Sequence, residues 1–166
     1  DVAHELNALN NFNGVMEVLA GVDNAAIYRL KHTWPFVSEK RQRTYKTLKE
    51  RMSSAGAYKA QREALHSCKP PCVPYLGMYL TDLTFVEDGN KDTVAVPADD
   101  FDPDAADDLT LINFDKRRKL VGVIKEIIVY QQAPFCLTPV TYVQLHLLNA
   151  TPPDNEGLYQ LSLKVE

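Results

Sequence analysis

The chain has 166 residues, 45% of them hydrophobic, and a formal charge of −4. That length buries a sizeable core within one domain, and an acidic balance with a pI near 5.6 argues against nucleic acid as a partner. No apolar run is long enough to span a bilayer and no signal peptide is read, so a cytosolic protein without direct membrane insertion is expected. Cys68, Cys72 and Cys136 form an odd set, which suits buried thiols in a reducing compartment rather than a disulfide scaffold. Pro70 and Pro71 separate the first two, and no His stands at ligand spacing to complete a zinc site, so neither a metal nor a cofactor is expected.

Val2, Leu6 and Leu9 recur at helical spacing with no cap ahead of them, so the chain is expected to begin within a helix. Asn10 and Asn11 mark a turn, and Asn11 can cap a helix to about residue 19 that carries Gly14 and Met16. The stretch 21–24 ends it. A short helix over 25–30 follows, Trp34 and Pro35 break the chain, and Ser38 caps a longer helix over 38–52 with Tyr45, Leu48 and Met52 turned inward. Residues 53–56 read as loop and 58–68 as helix.

Pro70, Pro71 and Pro74 stiffen the lead-in to the most informative element, a helix over 74–89 stopped by Gly89 and Asn90, both tolerant of a left-handed cap. Leu76, Tyr79, Leu80, Leu83 and Val86 share one stripe, the spacing of a core-facing helix. Roughly opposite runs a row of Gly77, Thr81, Thr84 and Asp88, where a merely solubilising face would carry Lys and Glu. Small groups admit another backbone, and hydroxyls followed by a carboxylate compete for donors or for a cation held by a partner.

Residues 91–108 carry Asp92, Asp99, Asp100, Asp102, Asp104, Asp107 and Asp108 and read as an inserted, mobile loop. The alternation from Asp100 to Asp104 is no calcium loop, because Ala105 and Leu111 replace its Gly and Glu. Asp107 or Asp108 is expected to cap a second long helix with Leu120, Ile124, Ile127, Ile128 and Gln131 at helical spacing. Its charged turn, Lys116, Arg117, Arg118 and Lys119, reads as a solvated face, with Lys119 structural or at the rim. The two helices form a hairpin with arms over 74–89 and 108–132. Helix is expected again over 139–148, loop over 151–157, and a short helix or extended tail over 158–166. Every firm period is 3.6, so the fold class expected is all-α, a packed helical domain with a protruding antiparallel hairpin.

Four motifs then stand in a telling order. They are Leu9-Asn10-Asn11-Phe12-Asn13-Gly14, Tyr28-Arg29-Leu30-Lys31-His32-Thr33-Trp34, the run from Pro70-Pro71-Cys72-Val73-Pro74-Tyr75-Leu76-Gly77 to Glu87-Asp88-Gly89-Asn90, and Ile112-Asn113-Phe114-Asp115-Lys116-Arg117-Arg118-Lys119. The last continues into Tyr130-Gln131-Gln132 and Pro134-Phe135-Cys136-Leu137. Over nearly its whole length the chain resembles the catalytic domain of Ras-type guanine-nucleotide exchange factors, the Son-of-sevenless class. Members carry further helices ahead of the first motif, so residues 1–166 correspond to the C-terminal portion of that domain.

The resemblance implies an exchange catalyst without covalent chemistry. Its hairpin enters a Ras-family small GTPase, displaces the first switch and disrupts the magnesium and phosphate site, so that GDP leaves. GDP and GTP would be met only on the GTPase, and the protein would be cytoplasmic, recruited to membranes where the GTPase resides. Thr84 matches the position reaching the magnesium region, and Asp88 the acidic group that meets the phosphate-binding loop. Asn90 matches a helix-end contact; Met16, Tyr58 and Tyr75 match the grip on the second switch, with Thr81 beside them. Asp88 is one methylene shorter than the usual Glu, and Asp23 stands at a contact position where Asn is common. By residue type alone, both tyrosines and Met16 would be packing residues. The alternative reading is a non-catalytic GTPase-binding or helical scaffold module, favoured by Asp23 and the long connector. No Ser or Cys with a base partner points to a hydrolase.

Overall fold

The computed structural model describes residues 1–96 and 109–166. In chain order its helices are α1 (Val2–Ala8), α2 (Phe12–Val22), α3 (Ala25–Tyr28), a 3-10 turn (Trp34–Phe36), α4 (Glu39–Arg51), α5 (Ala55–Ser67) and α6 (Leu76–Gly89). Strands β1 (Thr93–Val96) and β2 (Leu109–Ile112) follow, then α7 (Phe114–Tyr130), α8 (Thr141–Asn149) and α9 (Asn155–Val165). The protein is mostly α-helical, and it divides into two compact units: residues 1–74 with 133–166, and residues 75–132. Among the described residues no helix is long and apolar enough to cross a membrane.

In the first unit, Phe12, Val15 and Leu19 of α2, Leu48 of α4 with Met52 beyond it, and Leu65 of α5 are buried. Asn11 caps α2 as its position suggests, its Oδ1 accepting from the Gly14 N–H at 2.9 Å. Asn10 takes a left-handed φ of 56°, and its amide donates to the Lys69 carbonyl at 3.1 Å. The Val73 N–H reaches the Asn10 carbonyl at 3.0 Å, and Phe12 N–H the Val73 carbonyl at 2.9 Å. Ser38 precedes α4, but its side chain makes no capping bond.

The loop expected over 53–56 extends further. Gly56, Ala57 and Tyr58 all have positive φ, so regular right-handed helix begins only after Tyr58. At the other end, the expected helix or tail is helix α9, capped by Asp154 Oδ1 on the Gly157 N–H at 2.8 Å. Arg29 pins it, donating to the Ser162 carbonyl at 3.0 Å and the Glu166 carbonyl at 2.8 Å. The apolar residues of α8 stay largely uncovered, Leu148 at 81% exposure.

In the second unit, α6 and α7 run antiparallel. The Tyr79 hydroxyl donates to Glu126 Oε1 at 2.9 Å toward one end, and Lys116 Nζ donates to Glu87 Oε1 at 2.9 Å toward the other. The helical arms are shorter than the hairpin boundaries read from sequence. Pro74 and Tyr75 precede α6, and residues 109–112 form β2, pairing antiparallel with β1 so that Thr93 faces Ile112. Asn113, not Asp107 or Asp108, caps α7, with Oδ1 accepting from the Lys116 N–H at 3.1 Å. Those two aspartates, the Asp100–Asp104 alternation and most of the expected mobile connector lie outside the described residues. The ribbon has a local cause in its Thr, Val, Leu and Ile residues, which suit a pleated pair once each finds the other.

Candidate functional site

The row on α6 is exposed, but the stripe meant to anchor it is rotated. Met78 and Tyr79 are fully buried, while Leu76 and Leu80, expected inside, are 45% and 62% exposed. Leu83 and Val86 are half-buried, so the covered face is centred on Tyr79, Leu83 and Val86 with Met78 on its flank. The reason is that α6 is apolar on both sides of Tyr79, and periodicity alone cannot tell which flank a neighbour covers. Thr81, Thr84 and Asp88 are exposed on the opposite side, bordered by Leu80 and by Phe85 at 72% exposure.

The hydroxyls in that row are turned to one purpose. Thr81 Oγ1 donates back to the Gly77 carbonyl at 2.8 Å, and Thr84 Oγ1 to the Leu80 carbonyl at 2.9 Å. Each hydroxyl hydrogen is thereby used, leaving oxygen lone pairs outward. Asp88 has no hydrogen-bond or ion-pair partner among the described residues. Thr81, Thr84 and Asp88 thus present acceptors, a surface chemically suited to donors or a cation. Gly77 answers first to its own chain: a Cβ there would run into the Tyr75 ring, which folds back over the start of the helix. Tyr75 is half-buried.

The far end of α6 is held by charge. Lys116 is 2% exposed, which corrects the reading of its turn as a solvated face. Its ammonium meets Glu87 Oε1 at 2.9 Å, Asp92 Oδ1 at 2.9 Å and the Glu87 carbonyl at 3.2 Å. Three N–H donors thus find three acceptors, which is what a buried lysine needs to stay charged. Glu87 and then Asp92 raise its pKa above the ordinary value, and the Lys116 hydrogen bond holds the Asp92 carboxyl below its own. Arg117 joins Asp92 at 3.0 Å. Asn90 is drawn into the same end, donating to the Val86 carbonyl at 2.9 Å and accepting from Lys119 Nζ at 3.0 Å. Its backbone is extended at φ −134°, so the left-handed stop expected at Gly89 and Asn90 is replaced by this side-chain cap. At the near end, burial and then Glu126 raise the pKa of Tyr79 and keep it a neutral donor.

The other candidate residues belong to the first unit. Met16 is half-buried on α2, and Tyr58 half-buried at the last of the left-handed positions. Asp23 follows α2, where Lys49 Nζ reaches its Oδ1 at 2.7 Å and the Tyr45 hydroxyl makes a short bond to the same oxygen. Burial alone would raise the Asp23 pKa, but the hydrogen bonds from Lys49 and Tyr45 outweigh it and leave it lowered. The negative charge is therefore matched within the chain. Sequence reasoning missed Lys116 and Lys49 as the cations that set these carboxylates. No local signal could have found them, since Lys49 lies 26 positions from Asp23 and Lys116 lies 29 from Glu87.

Residues 1–118 match the family model described as the RasGEF domain. The chain belongs to the RasGEF domain family. The RasGEF relatives of this chain include the Ras-specific guanine nucleotide-releasing factor 2 of Danio rerio, 41% identical over 99% of the chain and 12% of that protein. Ras-specific guanine nucleotide-releasing factor 1 of Rattus norvegicus is 39% identical, again over 99% of the chain and 12% of its own length. Ras guanine nucleotide exchange factor Y of Dictyostelium discoideum is 35% identical over 99% of the chain and 10% of its own. The chain therefore spans about an eighth of the length of these releasing factors, and the match bears out the family read from the motifs.

Proposed function

We propose that this RasGEF chain promotes GDP release from a Ras-family small GTPase, with the exposed row of α6 presented beside the nucleotide site. The observation that carries the reading is that row of acceptors, Thr81, Thr84 and Asp88, on a helix braced at both ends. A loaded nucleotide site holds a magnesium ion and donors directed at phosphate. A partner offering only acceptors competes for both, and so binds the nucleotide-free conformation more tightly than the loaded one. Thr84 acts at the magnesium region and Asp88 at the phosphate-binding loop. Tyr75, Tyr58 and Met16 supply apolar grip, Thr81 flanks them, and Asn90 contacts from the helix end. Asp23 meets the GTPase as a charge already balanced by Lys49. No bond is made or broken, and the protein works in the cytoplasm at membranes where its GTPase resides.

The test is release of a fluorescent nucleotide from a Ras-family GTPase. The chain is expected to accelerate release, and Thr84→Glu or Tyr75→Ala is expected to abolish that effect while helicity is retained. Binding without acceleration would replace this reading with a non-catalytic GTPase-binding module; neither binding nor acceleration would leave a scaffold.

A further inference from the structure

The residue that follows α9 reaches into the segment leading to Trp34. The Glu166 carboxylate accepts from three groups there: the His32 N–H at 3.0 Å, the Thr33 N–H at 2.6 Å and the Thr33 hydroxyl at 2.8 Å. Hydrogen bonds to an ionised acceptor are roughly twice as strong as neutral ones. Burial alone would raise the Glu166 pKa, but the bonds from His32 and Thr33 outweigh it and leave it lowered, so the acceptor is a carboxylate at neutral pH. Arg29 fastens the same helix end through the Ser162 and Glu166 carbonyls, with its guanidinium 5.8 Å from the centre of the Tyr159 ring.

Thr33 stands immediately before the 3-10 turn, and its own side chain makes no capping bond there. Glu166 holds it from α9 instead. Trp34, the next residue, donates its indole N–H to the Ile27 carbonyl at 3.3 Å, and its carbonyl accepts from Gln42 Nε2 at 3.3 Å. Its ring lies 6.0 Å from that of Tyr45, centre to centre. The Tyr45 hydroxyl in turn makes the short bond to Asp23 Oδ1 and accepts from Lys49 Nζ at 3.2 Å, while Lys49 reaches the same Asp23 oxygen at 2.7 Å. A line of direct contacts thus runs from Glu166 through Trp34 and Tyr45 to Asp23.

We propose that Glu166 is a positioning residue for the Asp23 end of the GTPase-binding face: by fixing His32 and Thr33 it holds the Trp34 ring against Tyr45, which keeps Tyr45 and Lys49 on Asp23. The inference rests on the reading of Asp23 as a GTPase contact. A face whose charges are paired before the partner arrives loses less side-chain freedom on binding, so the effect falls on affinity and not on the release step.

The experiment compares Glu166→Ala with the native protein and reads Lys49, a residue that makes no bond to Glu166. Acetylation of the Lys49 amine by acetic anhydride, followed by mass spectrometry, is expected to quicken about threefold once its exposed ion pair loosens, with Lys125 of α7 unchanged. Iodide quenching of Trp34, the sole tryptophan, is expected to rise. In the release assay, the concentration giving half-maximal rate is expected to increase about fivefold, the scale of a weak coupling between sites, with the maximal rate unchanged. Because Glu166 acts through Tyr45, Glu166→Ala is expected to alter Lys49 labelling less in a Tyr45→Phe background than in the native one. Glu166→Gln keeps one acceptor for Thr33 and sets an amide against the His32 N–H; it is expected to shift every readout the same way by less, and it decides the matter if the alanine variant loses helicity. Unchanged Lys49 labelling in both variants, even beside a more accessible Trp34, would overturn the assignment. So would quickened labelling with an unchanged half-maximal concentration. Native protein that leaves release unaffected overturns the proposed function instead, and is told apart because the Lys49 and Trp34 readouts need no GTPase.

Discussion

The helices of residues 1–74 and the α6–α7 pair are held by different forces. In the first, Phe12, Val15, Leu19, Leu48 and Leu65 share an apolar interior, a non-directional attraction that rewards burial more than alignment. In the second, the fully buried side chains are Met78, Tyr79 and Lys116 among the described residues, and directed bonds from Tyr79 to Glu126 and from Lys116 to Glu87 set the register. The contrast has a physical logic. A helix that must leave one face bare cannot be wrapped in apolar side chains, so polar contacts at its two ends hold it instead.

Substitutions can break that contrast. The largest loss is expected from Leu48→Ala, which opens a cavity in the apolar body and costs about 2–5 kcal/mol, measured by urea unfolding followed through Trp34 fluorescence. Lys116→Met is expected to cost less, because Glu87 and Asp92 are both about half exposed and can hydrate once the cation is gone. Its signature is local: faster amide exchange in residues 84–90 and 114–120, with α2 unchanged.

The same variant sharpens the comparison through pH. Asp92 is held below its ordinary value of 3.8 and Lys116 above its ordinary 10.5. The brace therefore contributes fully between those values. It is lost as pH falls through the lowered folded value of Asp92, and again as pH rises through the raised folded value of Lys116. Amide exchange in α6 and α7 is expected to quicken at both extremes in the native protein, and Lys116→Met is expected to flatten both arms. The smallest effect is a control common to both regions. Asn11→Ala and Asn113→Ala each remove one side-chain cap and are expected to cost about 1 kcal/mol apiece, read as equal shifts in thermal unfolding. A much larger cost at Asn113 would show that its second bond, to the Lys91 carbonyl at 2.9 Å, also holds the ribbon in place.

What was legible in the sequence is what neighbours in the chain decide. Asn11 caps α2 because its oxygen needs to reach only three residues ahead, and the row of Thr81, Thr84 and Asp88 lies on one exposed side because helical geometry places it there. Leu80 was read as an anchor and is exposed, since an apolar residue states a preference for burial without naming the surface that would cover it. The strands β1 and β2 escaped notice because each is only four residues long, and its pairing partner lies across the acidic stretch.

By itself, then, the chain determined its helical segments, the Asn11 cap and the ordered motifs of its family, all properties of residue type at short separation. Tertiary structure alone decided that α6 buries Met78 and leaves Leu80 exposed, that Lys116 is buried between Glu87 and Asp92, and that Asp23 is matched by Lys49. Each of these depends on which distant group arrives first at a given face, and the energy of that meeting belongs to the pair of residues, not to either one.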